Sequence, residues 1–152
     1  MTTRVPLVLL SLAVAATLAA CGGGGHKVSP PATTTSAADQ KAAIKSAYEK
    51  FFSSKTPESQ RVELLQNGQQ FEPEIKALAQ NPLASNTSAT VSSVTLQGPN
   101  TAKVVYKVNI SGASLGKQTG TAVRENGTWK VGDASLCKLI ALGGTTPSVC
   151  KS

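Results

Sequence analysis

The chain has 152 residues, 15 Lys and Arg against 8 Asp and Glu, a single His and three Cys, with 4% aromatic residues. The basic residues are scattered rather than clustered with aromatics, which argues against nucleic-acid recognition. With one His and no grouped Cys or acidic residues, the sequence offers neither a metal motif nor a phosphate loop, and nothing in it calls for a cofactor.

An apolar run from Val5 to Ala20 follows Arg4 and ends in Leu18-Ala19-Ala20-Cys21. The run has the length and flanks of a signal peptide and falls short of the ~20 residues a membrane-spanning helix needs. The Leu-Ala-Ala-Cys tetrad is similar to a bacterial lipobox. Residues 1–20 are therefore expected to be a lipoprotein signal peptide. Cys21 is expected to carry diacylglycerol, tying the mature chain to the extracytoplasmic face of the membrane, with some release. The alternatives are an ordinary secretory signal cut near Ala20 and an uncleaved anchor. Removal of the leader takes Arg4 with it and leaves a net charge near +6, which favours an anionic membrane surface or simply reflects a Lys-rich solvated face.

Residues 21–38 hold four glycines, Pro30-Pro31 and a Thr/Ser cluster, with almost nothing to bury. This composition reads as a flexible tether. Residues 39–152 suffice for one domain and not two.

In that domain Ile44, Ala47, Tyr48, Phe51 and Phe52 recur at helical spacing. Thr56 is expected to cap a second helix with Pro57 at its first position. Val62, Leu64 and Leu65 give its buried side, and Asn67-Gly68 ends it. Phe71, Ile75 and Leu78 mark a third helix from Pro73. Asn81-Pro82 closes the helical half.

The period then changes to two. Ala89 and Val91 are out of phase by one residue with Val94 and Leu96, so a β-bulge at Ser92-Ser93 is expected. Ala102, Val104, Tyr106, Val108 and Ile110 alternate in a second strand, with Lys103 and Lys107 facing outward. A third strand is expected over 117–125, and Asn126-Gly127 is a hairpin signal. Trp129 and Val131 lie in a fourth strand. Asp133 caps a last helix carrying Leu136, Leu139 and Ile140, ended by Gly143.

With Cys21 acylated, Cys137 and Cys150 remain. An even pair in an oxidising compartment predicts a disulfide; two buried free thiols are the competing reading.

The fold class is α+β: N-terminal helices packed on a bent four-stranded antiparallel sheet, with a short C-terminal helix. The largest cavity is expected between the concave sheet and the helices. Tyr48, Phe51, Tyr106 and Trp129 are its candidate lining, with Phe71 in the same interior.

The segments FFSSKTPESQRVELLQNGQQFEP from Phe51, SATVSSVTL from Ser88, QTGTAV from Gln118 and NGTWKVGDASLC from Asn126 together resemble the mycobacterial low-molecular-weight secreted antigen family and its lipoprotein relatives. The resemblance implies an actinobacterial source, export, and a cystatin-like or nuclear-transport-factor-two-like roll. It also implies immune recognition in some members, and it brings no catalytic residues with it.

Catalysis finds little support in the residues. Gly112-Ala113-Ser114-Leu115-Gly116 matches the pattern of a nucleophile elbow, but that mechanism needs a His base on a strand-to-helix turn. The single His is His26, in the tether, and the segment joins two predicted strands as a Gly/Ser loop. An isomerase of the kind such rolls host elsewhere would need a carboxylate near Tyr48 or Tyr106. No Asp or Glu occurs between Thr87 and Arg124. The expectation is a non-enzymatic binding module for a small apolar ligand or an envelope protein. A structural envelope component without a ligand is the runner-up, with the isomerase behind it.

Overall fold

A computed structural model describes residues 35–142, 144 and 146–151, without the side chains of Leu83 and Leu142. The leader, Cys21, His26, the tether as far as residue 34, and Gly143 lie outside the described residues.

Helix α1 spans Ala37–Phe51 and so begins two residues before Asp39. Ser36 is the reason. Its hydroxyl accepts from the Asp39 N–H at 3.1 Å and donates to the Asp39 carboxylate at 2.7 Å, satisfying an orphan donor of the first turn. Ile44, Ala47, Tyr48 and Phe51 form the buried face.

Helix α2 spans Glu58–Leu64, and Pro57, not Thr56, holds the cap position, with extended backbone and no side-chain cap bond. Thr56 lies in the turn before it, its N–H donating to the Ser53 carbonyl at 3.1 Å. Leu65 leaves the helix in extended conformation and bridges Val131 in parallel fashion. It is fully buried. The helix thus ends at Leu64, before the expected stop at Asn67-Gly68; Asn67, with φ 53°, instead precedes the next turn. A 3-10 turn, Gly68–Phe71, leads into α3, Glu72–Ala79, with Pro73 in its first turn. A second 3-10 turn, Pro82–Asn86, delivers the chain to the sheet.

The sheet has strand order β1-β2-β3-β4, all antiparallel. These strands are Thr87–Leu96, Thr101–Ile110, Ala113–Glu125 and Thr128–Val131. The register of β1 against β2 slips between Val91 and Ser93, leaving Ser92 as the extra residue of the expected bulge. Ala89, Val91, Val94 and Leu96 thereby all face the same side. Glu49 of α1 accepts from the Val91 N–H at 3.2 Å, so the helix is tied to the strand beside the bulge.

Strand β3 is longer than expected. The segment read as a Gly/Ser loop is strand from Ala113 onward, and the link is the two-residue turn Ser111-Gly112, with φ of 49° and 85°. Positive φ at both positions is the type I′ signature that matches strand twist. Asn126-Gly127 repeats it, with φ of 49° and 80°.

The sheet curls around α1, which packs on both edge strands, β1 and β4. Its inner face supplies Ala102, Val104, Tyr106, Val108, Ala122, Trp129 and Val131 to the core. Helix α4 spans Asp133–Leu142. The Asp133 carboxylate accepts from the Ala134 N–H at 2.6 Å and from Asn67 Nδ2 at 2.9 Å, joining the last helix to the start of the 3-10 turn Gly68–Phe71. Cys137 of α4 and Cys150 are disulfide-bonded, with Cα atoms 5.5 Å apart. Of the two readings open for this pair, the structure has the bridge.

Candidate apolar cleft

The hollow of the sheet is filled. Tyr48 and Phe52 project into it from the end of α1 and meet Tyr106 of β2. Tyr48 and Tyr106 pack edge-on at 5.0 Å, and Phe52 stacks on Tyr106 at 5.4 Å. All three are nearly without exposure. Aromatic pairs at such spacings prefer these offset and edge geometries. These three rings occupy the middle of the hollow.

The open space lies to the side, as a cleft of about 460 Å³. Phe51 and Phe52 form one wall, Ile75 and Leu78 of α3 another, and Leu136, Leu139 and Ile140 of α4 a third. Ala84 lines it from the second 3-10 turn; Thr87, Ile110 and Leu115 do so from the strand ends and the β2–β3 hairpin. Of the four candidate lining residues, Phe51 reaches the cleft. Tyr48, Tyr106 and Trp129 are core residues instead, because the curl of the sheet closes onto them.

Among the described residues, three polar ones line the cleft: Arg61, Asn81 and Thr87. Arg61 is the cation among them. Its Nη2 donates to the Ser53 carbonyl at 2.8 Å. Its Nε is buried and has no hydrogen-bond partner among the described residues. Burial pulls the guanidinium pKa below its ordinary value, and the nearby charge of Glu58 opposes that shift. Sequence reasoning missed Arg61 and Leu115. A signal for Arg61 existed: it stands three residues before the half-buried Leu64, and residues so spaced share a helix face.

The Tyr48 hydroxyl donates to the Thr121 carbonyl at 2.5 Å and lies 3.1 Å from Ser135 Oγ. Neither partner is a carboxylate. Desolvation raises the Tyr48 pKa well above its ordinary value, with the Ser135 hydrogen bond acting against the shift, and burial pushes Tyr106 up to about 12. Ser114 pairs with Asn109 near the hairpin turn, is exposed, and its hydroxyl accepts from the Gly116 N–H at 3.2 Å. It sits on a strand, not on a strand-to-helix turn. Among the described residues no three His, Cys, Asp or Glu gather as a metal site, and no helix is long and apolar enough to cross a membrane.

A family model described as the C-terminal domain of low molecular weight antigen MTB12 matches residues 37–147. The chain belongs to the MTB12 antigen family. The MTB12 domain so matched begins at the first residue of α1 and takes in the sheet, the cleft and Cys137, while Cys150 falls just beyond its end. Membership makes the chain an antigen-like protein, in keeping with a location outside the cell or in its envelope. No characterised protein and no solved structure matches the chain significantly.

Proposed function

We propose that this MTB12-family chain is a lipid-anchored, extracytoplasmic binding module without enzymatic activity, and that its cleft receives a small apolar ligand. The cleft carries the reading. Its volume of about 460 Å³ falls in the range of small-molecule pockets, roughly 300–1,000 Å³, which combine apolar walls with a few polar groups. Its walls come from α1, α3, α4 and the hairpin, with Arg61, Asn81 and Thr87 as the polar residues.

Anchoring follows from the sequence around Cys21. Two acyl chains, at about 0.8 kcal/mol per buried methylene, hold a protein stably where one chain does not. Two experiments test the reading. Radiolabelled palmitate should enter the wild-type protein and not the Cys21→Ser variant, and equal labelling would remove the anchor. Native mass spectrometry of the protein should show a retained small molecule, and a uniformly bare mass would favour a structural envelope role instead.

A further inference from the structure

The cleft is apolar except at one end of its chemistry. Among the described residues, the polar lining besides Arg61 is the uncharged Asn81 and Thr87, with no acidic residue. We infer that the ligand is an amphiphile with a single acyl chain and a carboxylate head, the chain lying along α3 and α4 and the head meeting Arg61. This rests on the binding-module reading and narrows it to a ligand class.

Three observations carry the inference. Arg61 forms no ion pair within 4.0 Å among the described residues, whose pairs are Lys45 with Glu49 and Lys130 with Glu125. Its Nε is buried and unpartnered. Glu58 acts on Arg61 from nearby without pairing with it, so the half-buried guanidinium keeps an open Nε, and a carboxylate brought to it forms a strong charge-assisted hydrogen bond. A neutral apolar ligand would deepen the burial of the charge and gain nothing from it. Finally, Leu115 is the exposed large hydrophobic residue of the described part, at 38% exposure, and it lines the same cleft. An apolar chain in the cleft would cover it.

The test uses the full chain in phosphatidylcholine nanodiscs, with empty nanodiscs as the blank. The probes are a long-chain fatty acid carrying a photoactivatable diazirine near its tail and the methyl ester of the same molecule. The acid should label peptides containing Leu78 and Leu139 at least ten-fold more than the ester, and oleate should compete. Arg61→Gln should bring the acid down to the level of the ester, whereas Arg61→Lys should keep a preference for the acid. Equal labelling of the cleft by acid and ester in the wild type would overturn this inference and leave the apolar-ligand reading standing. Labelling of the cleft by neither probe would overturn both. Full preference for the acid in Arg61→Gln would remove Arg61 from the account. The comparison of acid with ester in the wild type needs no variant to fold.

Discussion

Tyr48, on α1, donates its hydroxyl to the Thr121 carbonyl on β3, 73 residues away, at 2.5 Å. Ser135 of α4 completes the junction: its Oγ accepts from the Thr121 N–H at 3.0 Å and lies 3.1 Å from the Tyr48 hydroxyl. One tyrosine thus joins the first helix, the sheet and the last helix through groups that burial would otherwise leave unsatisfied.

The junction closes over Gly120. A Cβ there would lie 2.5 Å from Ser135 Oγ and 2.7 Å from the Tyr48 hydroxyl oxygen. Gly120→Ala should therefore destabilise the domain by about 1–3 kcal/mol, the usual cost of overpacking, although alanine suits a strand as well as glycine does. Chemical denaturation checks this. A variant as stable as the wild type would mean that the junction gives way easily.

The two tyrosines predict an alkaline limit. An unfolded tyrosine loses its proton near pH 10, whereas folded Tyr106 holds it to about 12, and Tyr48 is shifted in the same direction. Above about pH 10 the unfolded chain binds fewer protons than the folded one, so stability falls as pH rises. The stabilisation is complete below that pH. Each tyrosine can contribute a slope of up to about 1.4 kcal/mol per pH unit. Tyr48 and Tyr106 are the whole tyrosine content, so tyrosinate absorbance should appear in one step together with loss of circular dichroism. Absorbance rising near pH 10 while the fold persists would contradict the burial of these hydroxyls.

Local order was readable wherever one short stretch settles it. The phase slip from Val91 to Val94 announced the bulge at Ser92. Asn126-Gly127 announced a two-residue hairpin. Ser111-Gly112 makes the same kind of turn, but the glycines at 112 and 116 made the segment between them resemble a loop. Its pairing comes from β2, with Asn109 opposite Ser114, which is a non-local fact. The cleft was harder to see for the same reason. Arg61, Ile75, Leu115 and Leu139 meet only once the helices have packed. Tyr106 packs against Tyr48 and Phe52 and does not line the cleft, a contact that no periodicity encodes.

The bridge between Cys137 and Cys150 spans 13 positions and fastens the 3-10 turn Ser148–Lys151 to α4, a wall of the cleft. In the chain-entropy model a loop of this size contributes about 3 kcal/mol. Replacing both cysteines by alanine should lower the unfolding free energy by that order, and reducing agent should weaken the wild type but not the variant. Equal denaturation midpoints for oxidised and reduced wild type would assign the bridge no part in stability.

Lys107 and Lys117 stand directly opposite each other on β2 and β3, both exposed, on the face turned away from the core. Like charges so placed repel, and an opposite-charge pair contributes roughly 0.2–1 kcal/mol relative to alanines. Lys117→Glu should therefore raise stability by up to about 1 kcal/mol in dilute buffer. The gain should shrink in molar salt, where the screening length is about 3 Å. Lys103 provides the control, because Thr121 is its partner on β3 and Lys103→Glu relieves no cross-strand repulsion there. Thermal melts of the two variants at low and high salt would separate this pair effect from a mere lowering of net charge, which both substitutions share.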